Sequence, residues 1–214
     1  RDHQILFHTD AVQAYAQIPI SMQQYHIDLL SASAHKFHGP KGVGFLYVRD
    51  GVTMPSFIHG GSQERGKRAG TENVAGIVGM AQALVIAAQE MPYTRGKLTR
   101  LRNYFAERVR HEIPNIRLNG HPYKRLPGNV NFSIEGIDAT ALLVLLEEEG
   151  ICASAGSACN TGQTRISHVI EAIRVPENYA AGSVRFTMGR DTTRRDVDAC
   201  VDALKRCVII LRQG

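Results

Sequence analysis

The chain has 214 residues, 43% of them hydrophobic and 21% charged, enough apolar surface for a full core, which excludes a disordered or collagen-like chain. Lys and Arg number 25 against 20 Asp and Glu, a net charge of +5, but the positive residues are scattered rather than gathered with aromatics, so nucleic acid is not expected as a partner. No run approaches the roughly 20 uninterrupted apolar residues of a membrane span, and no basic-then-apolar leader opens the chain, so it reads as a soluble, intracellular protein of one large or two small domains.

The chain opens at Arg1 without an initiator methionine and runs at once into an apolar segment, as a piece of a longer protein would. Ile5, Leu6 and Phe7 followed by His8, Thr9 and Asp10 read as a buried parallel strand delivering polar side chains to its carboxyl end, where chemistry often sits. Further strands are predicted at 27–30 and 42–48, with the small and polar segment 31–41 between them. Residues 59–71, HGGSQERGKRAGT, form a glycine-rich basic loop. A long alanine-rich helix follows over 72–91, and Pro92 opens a second helix whose apolar stripe is Leu98, Leu101, Tyr104, Phe105 and Val109. The domain boundary is placed at residue 92, giving domains 1–92 and 93–214.

The second part has an α+β pattern. A strand at 130–134 precedes a helix over 138–149 closed by Gly150, and another strand lies at 183–188. The last helix runs over 193–212, with Thr193 and Asp196 as a capping box and Val197, Val201, Leu204, Val208 and Leu211 on one face.

The four cysteines, Cys152, Cys159, Cys200 and Cys207, are too few for a disulfide scaffold and lack the close pairs of a zinc site. A reducing compartment, the cytoplasm, fits them. Cys200 and Cys207 share a helix face, which favours packing, and Cys152 reads as core at the start of a strand. The pairs His3/His8 and His35/His38 have no Cys or acidic cluster at ligand spacing, so no metal is expected.

Lys36 follows a strand directly, among small residues and hydroxyls and before a Gly-Pro turn, a setting suited to a Schiff base with neighbouring donors holding an anion. Asp10 could supply the carboxylate that keeps a pyridinium nitrogen protonated. The small-residue loop 153–162 can expose Cys159 to an incoming group. Arg185 sits mid-strand, where an unpaired guanidinium is costly to bury; it requires an anion, either a ligand or an internal salt bridge.

The strings FHTDAVQA, SASAHKFHGPKGVGFLYV, HGGSQERGKRAGTENV, SAGSACNTG and SVRFTMGR occur in this order, and together the chain resembles the cysteine desulfurases of the class V aminotransferase group. The resemblance implies the type I pyridoxal phosphate-dependent transferase fold, an α/β architecture. Residues 1–92 would end the large mixed-sheet, cofactor-binding domain, and 93–214 would form the small α+β domain with the catalytic cysteine loop. It implies pyridoxal 5'-phosphate as cofactor, with Lys36 as its Schiff-base lysine, Asp10 on the ring nitrogen and Gln13 on the phenolic oxygen. Ser33 and His35 would hold the phosphate, His35 also serving proton transfer, and Ala34 belongs to the same turn in place of the family's glycine. Thr71 would reach the phosphate in the other subunit of a homodimer, Arg185 would clamp the substrate carboxylate, and Cys159 would take the sulfur of L-cysteine as a persulfide for an acceptor or iron-sulfur scaffold protein. The family's ring-stacking histidine, main phosphate turn and cofactor-contacting asparagine normally precede residue 1. Two other readings stay open: a non-catalytic fragment or interaction module of such an enzyme, and a selenocysteine lyase or related class V aminotransferase.

Overall fold

In the computed structural model, which describes residues 3, 5–155 and 166–213, the first strand is the polar cluster rather than the apolar run before it. β1 spans His8–Asp10, while Ile5, Leu6 and Phe7 are at least half exposed. The cause is local. The Asp28 carboxylate accepts from the Phe7 N–H at 2.8 Å, and the Phe7 carbonyl accepts from the N–H groups of Asp28 and Leu29, so the ladder starts one residue later. β2 (Leu29–Ser33) runs parallel to β1, with Asp10 opposite Ser31. β3 (Gly44–Val48) pairs antiparallel along the other edge of β2.

The chain divides into two compact units, Arg1–Tyr93 and Thr94–Gly214. In the first, Ala11, Ile27, Leu30 and Ala32 form a small core, with Tyr15, Phe45 and Tyr47 packed on it. Asp28, almost fully buried, is paired with Arg49 at 2.6 Å.

One helix, α1, runs from Val74 to Glu112, where the sequence predicts two helices meeting at Pro92. An interior proline removes one N–H donor and crowds the preceding turn, a cost of about 3 kcal/mol. Alanine-rich turns before it and a packed apolar stripe after it outweigh that cost. Among the described residues α1 is also long and apolar enough, by length and composition alone, to cross a membrane. Gln82, Gln89 and Glu90 mask this in a count of uninterrupted apolar residues.

In the second unit β4 (Ile116–Leu118), β5 (Asn129–Ile134), β6 (Ser154–Ala155) and β7 (Ser183–Thr187) form an antiparallel sheet in the order β4-β5-β7-β6. Alternation sends Val130, Phe132, Ile134, Val184 and Phe186 to one face. That face packs in one core with Leu98, Phe105 and Val109 of α1, with Leu142 and Leu146 of α2 (Ala139–Glu148), and with Val197, Val201, Leu204 and Val208 of α5 (Arg194–Gln213). Phe105 lies edge-on to Phe132 and Phe186, at 5.8 and 5.2 Å.

The ends of these helices follow the sequence. Asp138 caps α2 by accepting from the N–H groups of Thr140 and Ala141, and Gly150 leaves the helix at φ 76°. Thr193 and Asp196 exchange hydrogen bonds as a capping box. The short helices α3 (His168–Ala172) and α4 (Glu177–Ala180) complete the unit.

Arg102, 3% exposed, is a tie between α1 and the loop before β5. Its Nη1 donates to the carbonyls of Arg125 and Leu126 at 3.3 and 3.0 Å, and its Nε and Nη2 donate to Asn103. Arg102→Ala removes these donors from a buried site and is expected to lower stability by about 2–3 kcal/mol, read as a lower urea midpoint.

Candidate functional site

In the first unit the site is built where β1 and β2 end together. Because the two strands are parallel, Asp10 and the Ser33–Lys36 segment leave the sheet at the same edge. Asp10 accepts from the Val12 N–H through Oδ1 at 2.9 Å, which orients the carboxylate and leaves Oδ2 without a partner among the described residues. Gln13 is exposed in the turn that follows.

After β2 the chain makes one 3-10 turn, Ala34–Phe37. Residues three apart are eclipsed in such a turn. Ala34 and Phe37 are therefore buried together, at 0% and 3% exposure, and His35 and Lys36 are turned to the exposed side. The turn is closed by hydrogen bonds from Ala34 N–H to Val43 O and from Gly39 N–H to Ala34 O, with His38 left-handed at φ 67°. A Cβ at Gly39 would come within 2.9 Å of the Ala34 Cβ and 3.3 Å of the Ala83 Cβ. The Ala34 methyl thus fills the space that a glycine at 34 would leave. The Ser33 hydroxyl and His35 Nδ1 are hydrogen-bonded at 2.8 Å.

The basic loop is more ordered by polar contacts than its composition suggests. Ser56 donates to the carbonyls of Ile58 and Lys67, and Arg68 Nη1 donates to those of Gly70 and Thr71 at 3.0 and 3.1 Å. Arg68 is a residue that sequence reasoning leaves without a role. Its only signal was its position three residues before Thr71. Thr71 itself is exposed at the end of the clamped loop.

In the second unit Arg185 lies on β7 between two strands, opposite Asn131 of β5 and Ser154 of β6. It is half-buried and has no ion pair among the described residues, so no internal salt bridge there meets its need for an anion. β6 leads directly into the segment that carries Cys159, which lies outside the described residues.

The other thiols divide by burial. Cys207 and Cys200 belong to the core on α5, and burial pushes the Cys200 thiol up to about 12 and raises that of Cys207 as well. Cys152 is exposed, contrary to the sequence expectation. β6 begins only at Ser154, and the half-buried Ile151 and Ala153 pack on the core on either side of it. A thiol with a pKa near 12 is roughly one part in 10⁴ thiolate at pH 8. Iodoacetamide at that pH is expected to label Cys152 and spare Cys200 and Cys207 until the protein is unfolded, as peptide mass mapping would show.

The donor set of the first unit fits pyridoxal phosphate chemically: a carboxylate for a ring N–H, a primary amine for an aldehyde, and a hydroxyl and imidazole for phosphate. Residues 1–200 match the family described as Aminotransferase class-V. Over 212 residues the chain is 48% identical to a cysteine desulfurase IscS of Dictyoglomus turgidum, covering 99% of this chain and 54% of that protein. It is 47% identical over 212 residues to a cysteine desulfurase IscS of Methanosarcina thermophila, covering 99% and 52%. A solved NifS-like protein superposes with a TM-score of 0.87 at 34% identity, over 98% of this chain and 54% of its own. A NifS-like protein from Rickettsia africae does so with 0.88 at 28% identity, over 97% and 55%. The chain spans about half the length of the curated relatives it matches. A match that runs from before the first strand into the last helix, through both units, makes this chain a member of the class-V aminotransferase family, with the mixed α/β fold of the type I pyridoxal phosphate-dependent transferases.

Proposed function

We propose that the protein carrying this chain is a pyridoxal phosphate-dependent cysteine desulfurase. It would convert L-cysteine to L-alanine and keep the sulfur as a persulfide on Cys159. The observation that carries the reading is the exposed Lys36 on its 3-10 turn, at the sheet edge where the neighbouring parallel strand ends in Asp10. The similarity to two cysteine desulfurases supports the same activity.

When bound, the cofactor supplies an electron sink for the bonds at the substrate's α-carbon. Asp10 would hold the ring N–H, Gln13 the phenolic oxygen, and Ser33 with His35 the phosphate, with Ala34 keeping their turn closed. Arg185 would bind the substrate carboxylate, a planar anion suited to a guanidinium fork. The Lys36 amine would carry the cofactor and, once free, move the proton at the substrate α-carbon, with His35 available as a second proton carrier. The Cys159 thiolate would attack the substrate sulfur: its S–S bond forms as the substrate Cβ–S bond breaks. L-Cysteine and a thiol thus become L-alanine and a persulfide, with no outside oxidant.

Thr71, at the end of its clamped loop, would reach the cofactor phosphate of a second copy, making the enzyme a homodimer. The persulfide would pass to an acceptor or scaffold protein for iron-sulfur cluster assembly. We place this in the cytoplasm, where thiols stay reduced. The test is turnover of L-cysteine by the full-length protein with a thiol reductant: equal molar release of alanine and sulfide is expected, and pyruvate or keto-acid formation without sulfide would contradict the reading.

A further inference from the structure

We propose that Asn131 is a second donor to the carboxylate bound at Arg185, which gives the second unit a two-residue anion site. The inference rests on the reading of Arg185 as the substrate-carboxylate residue and adds to it a specificity-determining partner.

Asn131 lies directly opposite Arg185 across the β5–β7 ladder. Side chains so placed share a face, with Cβ atoms roughly 5 Å apart. The strand positions on that face are Arg117, Asn129, Asn131, Ser133, Ser154, Ser183, Arg185 and Thr187. They include two cations and no carboxylate, so the face is electropositive and has nothing of its own to neutralise Arg185.

A chain of hydrogen bonds engages the Asn131 amide oxygen and leaves Asn119 Oδ1 as a buried atom without a partner among the described residues. Asn119 Nδ2 donates to Asn131 Oδ1 at 2.6 Å and to Ser133 Oγ at 2.7 Å. Ser133 Oγ meets Ser183 Oγ at 2.6 Å. Asn119 is held in turn through its backbone, its N–H donating to Asn131 O and its carbonyl accepting from Arg125 Nη2. The Asn131 oxygen accepts from Asn119, and its NH2 group has no partner among the described residues and is free to donate. A half-buried amide donor beside a guanidinium without a counter-ion among the described residues is a set for one carboxylate: a charge to bind it and a neutral donor to fix its orientation.

The test is binding of L-alanine and of L-alaninamide, which lacks the carboxylate, to the cofactor-loaded full-length protein by calorimetry. The ratio of the two affinities reads carboxylate recognition alone. Asn131→Ala is expected to lower that ratio roughly tenfold, as for one hydrogen bond to a charged group. Asn131→Asp keeps the acceptor for Asn119 but puts a carboxylate against Arg185, and it should lower the ratio further. This second variant decides the matter if Asn131→Ala folds poorly. An unchanged ratio in Asn131→Asp, with the ratio collapsed in Arg185→Ala, would overturn the role of Asn131 and keep that of Arg185. An unchanged ratio in Arg185→Ala as well would overturn both.

Discussion

Cys159→Ala is expected to abolish persulfide formation and to lower sulfide release from L-cysteine by at least about a thousandfold, because it removes the atom proposed to accept the sulfur. The choice of this thiol follows from the environments of the other three. Cys200 and Cys207 are in the core on α5, with their thiols held protonated by burial, and a buried neutral thiol is a poor nucleophile. Cys152 is exposed but precedes β6, whereas Cys159 follows it. Ser154 of β6 pairs with Arg185, so the chain enters the Cys159 segment from beside the proposed carboxylate site. Cofactor binding should survive in Cys159→Ala, and Cys152→Ala should retain full activity. Trapping the persulfide with an alkylating agent and mapping it by mass spectrometry checks both. Sulfide release that persisted in Cys159→Ala would remove this residue from the mechanism.

Phe105→Ala is expected to cost about 3–5 kcal/mol, the loss of a fully buried aromatic plus the cavity it leaves. Phe105 is 1% exposed and edge-on to both Phe132 and Phe186, so a single truncation empties the junction between α1 and the two central strands. The melting temperature should fall by on the order of 10–20 °C. Phe105→Leu, which keeps most of the volume, should cost about 1.5 kcal/mol or less. Thermal unfolding followed by circular dichroism reads the pair. A loss in Phe105→Ala no larger than that in Phe105→Leu would mean that the core closes without the ring.

The elements that the sequence makes legible are those with a long period or a chemical signature. The stripe of Leu98, Phe105 and Val109, Gly150 at the end of α2 and the capping box of Thr193 and Asp196 all appear as read. The misreadings have particular causes. Ile5, Leu6 and Phe7 are as apolar as a buried strand, but burial depends on what covers them, and the Asp28 side chain takes the Phe7 N–H. Pro92 signals a helix start only on average, and here strong helix formers on both sides carry α1 through it. β4 and β6 have three and two residues; segments that short are defined by the strand they pair with and have no period to read.

The site divides in the same way. The local sequence presents Lys36 and His35, because burial of Ala34 and Phe37 in one turn exposes what lies between them. The placement of Asn131 and Ser154 beside Arg185 follows from strand register, which only tertiary pairing decides. Arg68 looks like a solubilising charge in a basic loop, yet it donates to two carbonyls, including that of Thr71.

The measurement that bears most directly on the central claim is to incubate the purified full-length protein with pyridoxal phosphate, reduce with borohydride and map the added mass by peptide analysis. A single cofactor adduct on Lys36 is expected, lost in Lys36→Ala. An adduct absent, or spread evenly over the lysines, would contradict the claim that the turn after β2 forms the cofactor-binding site.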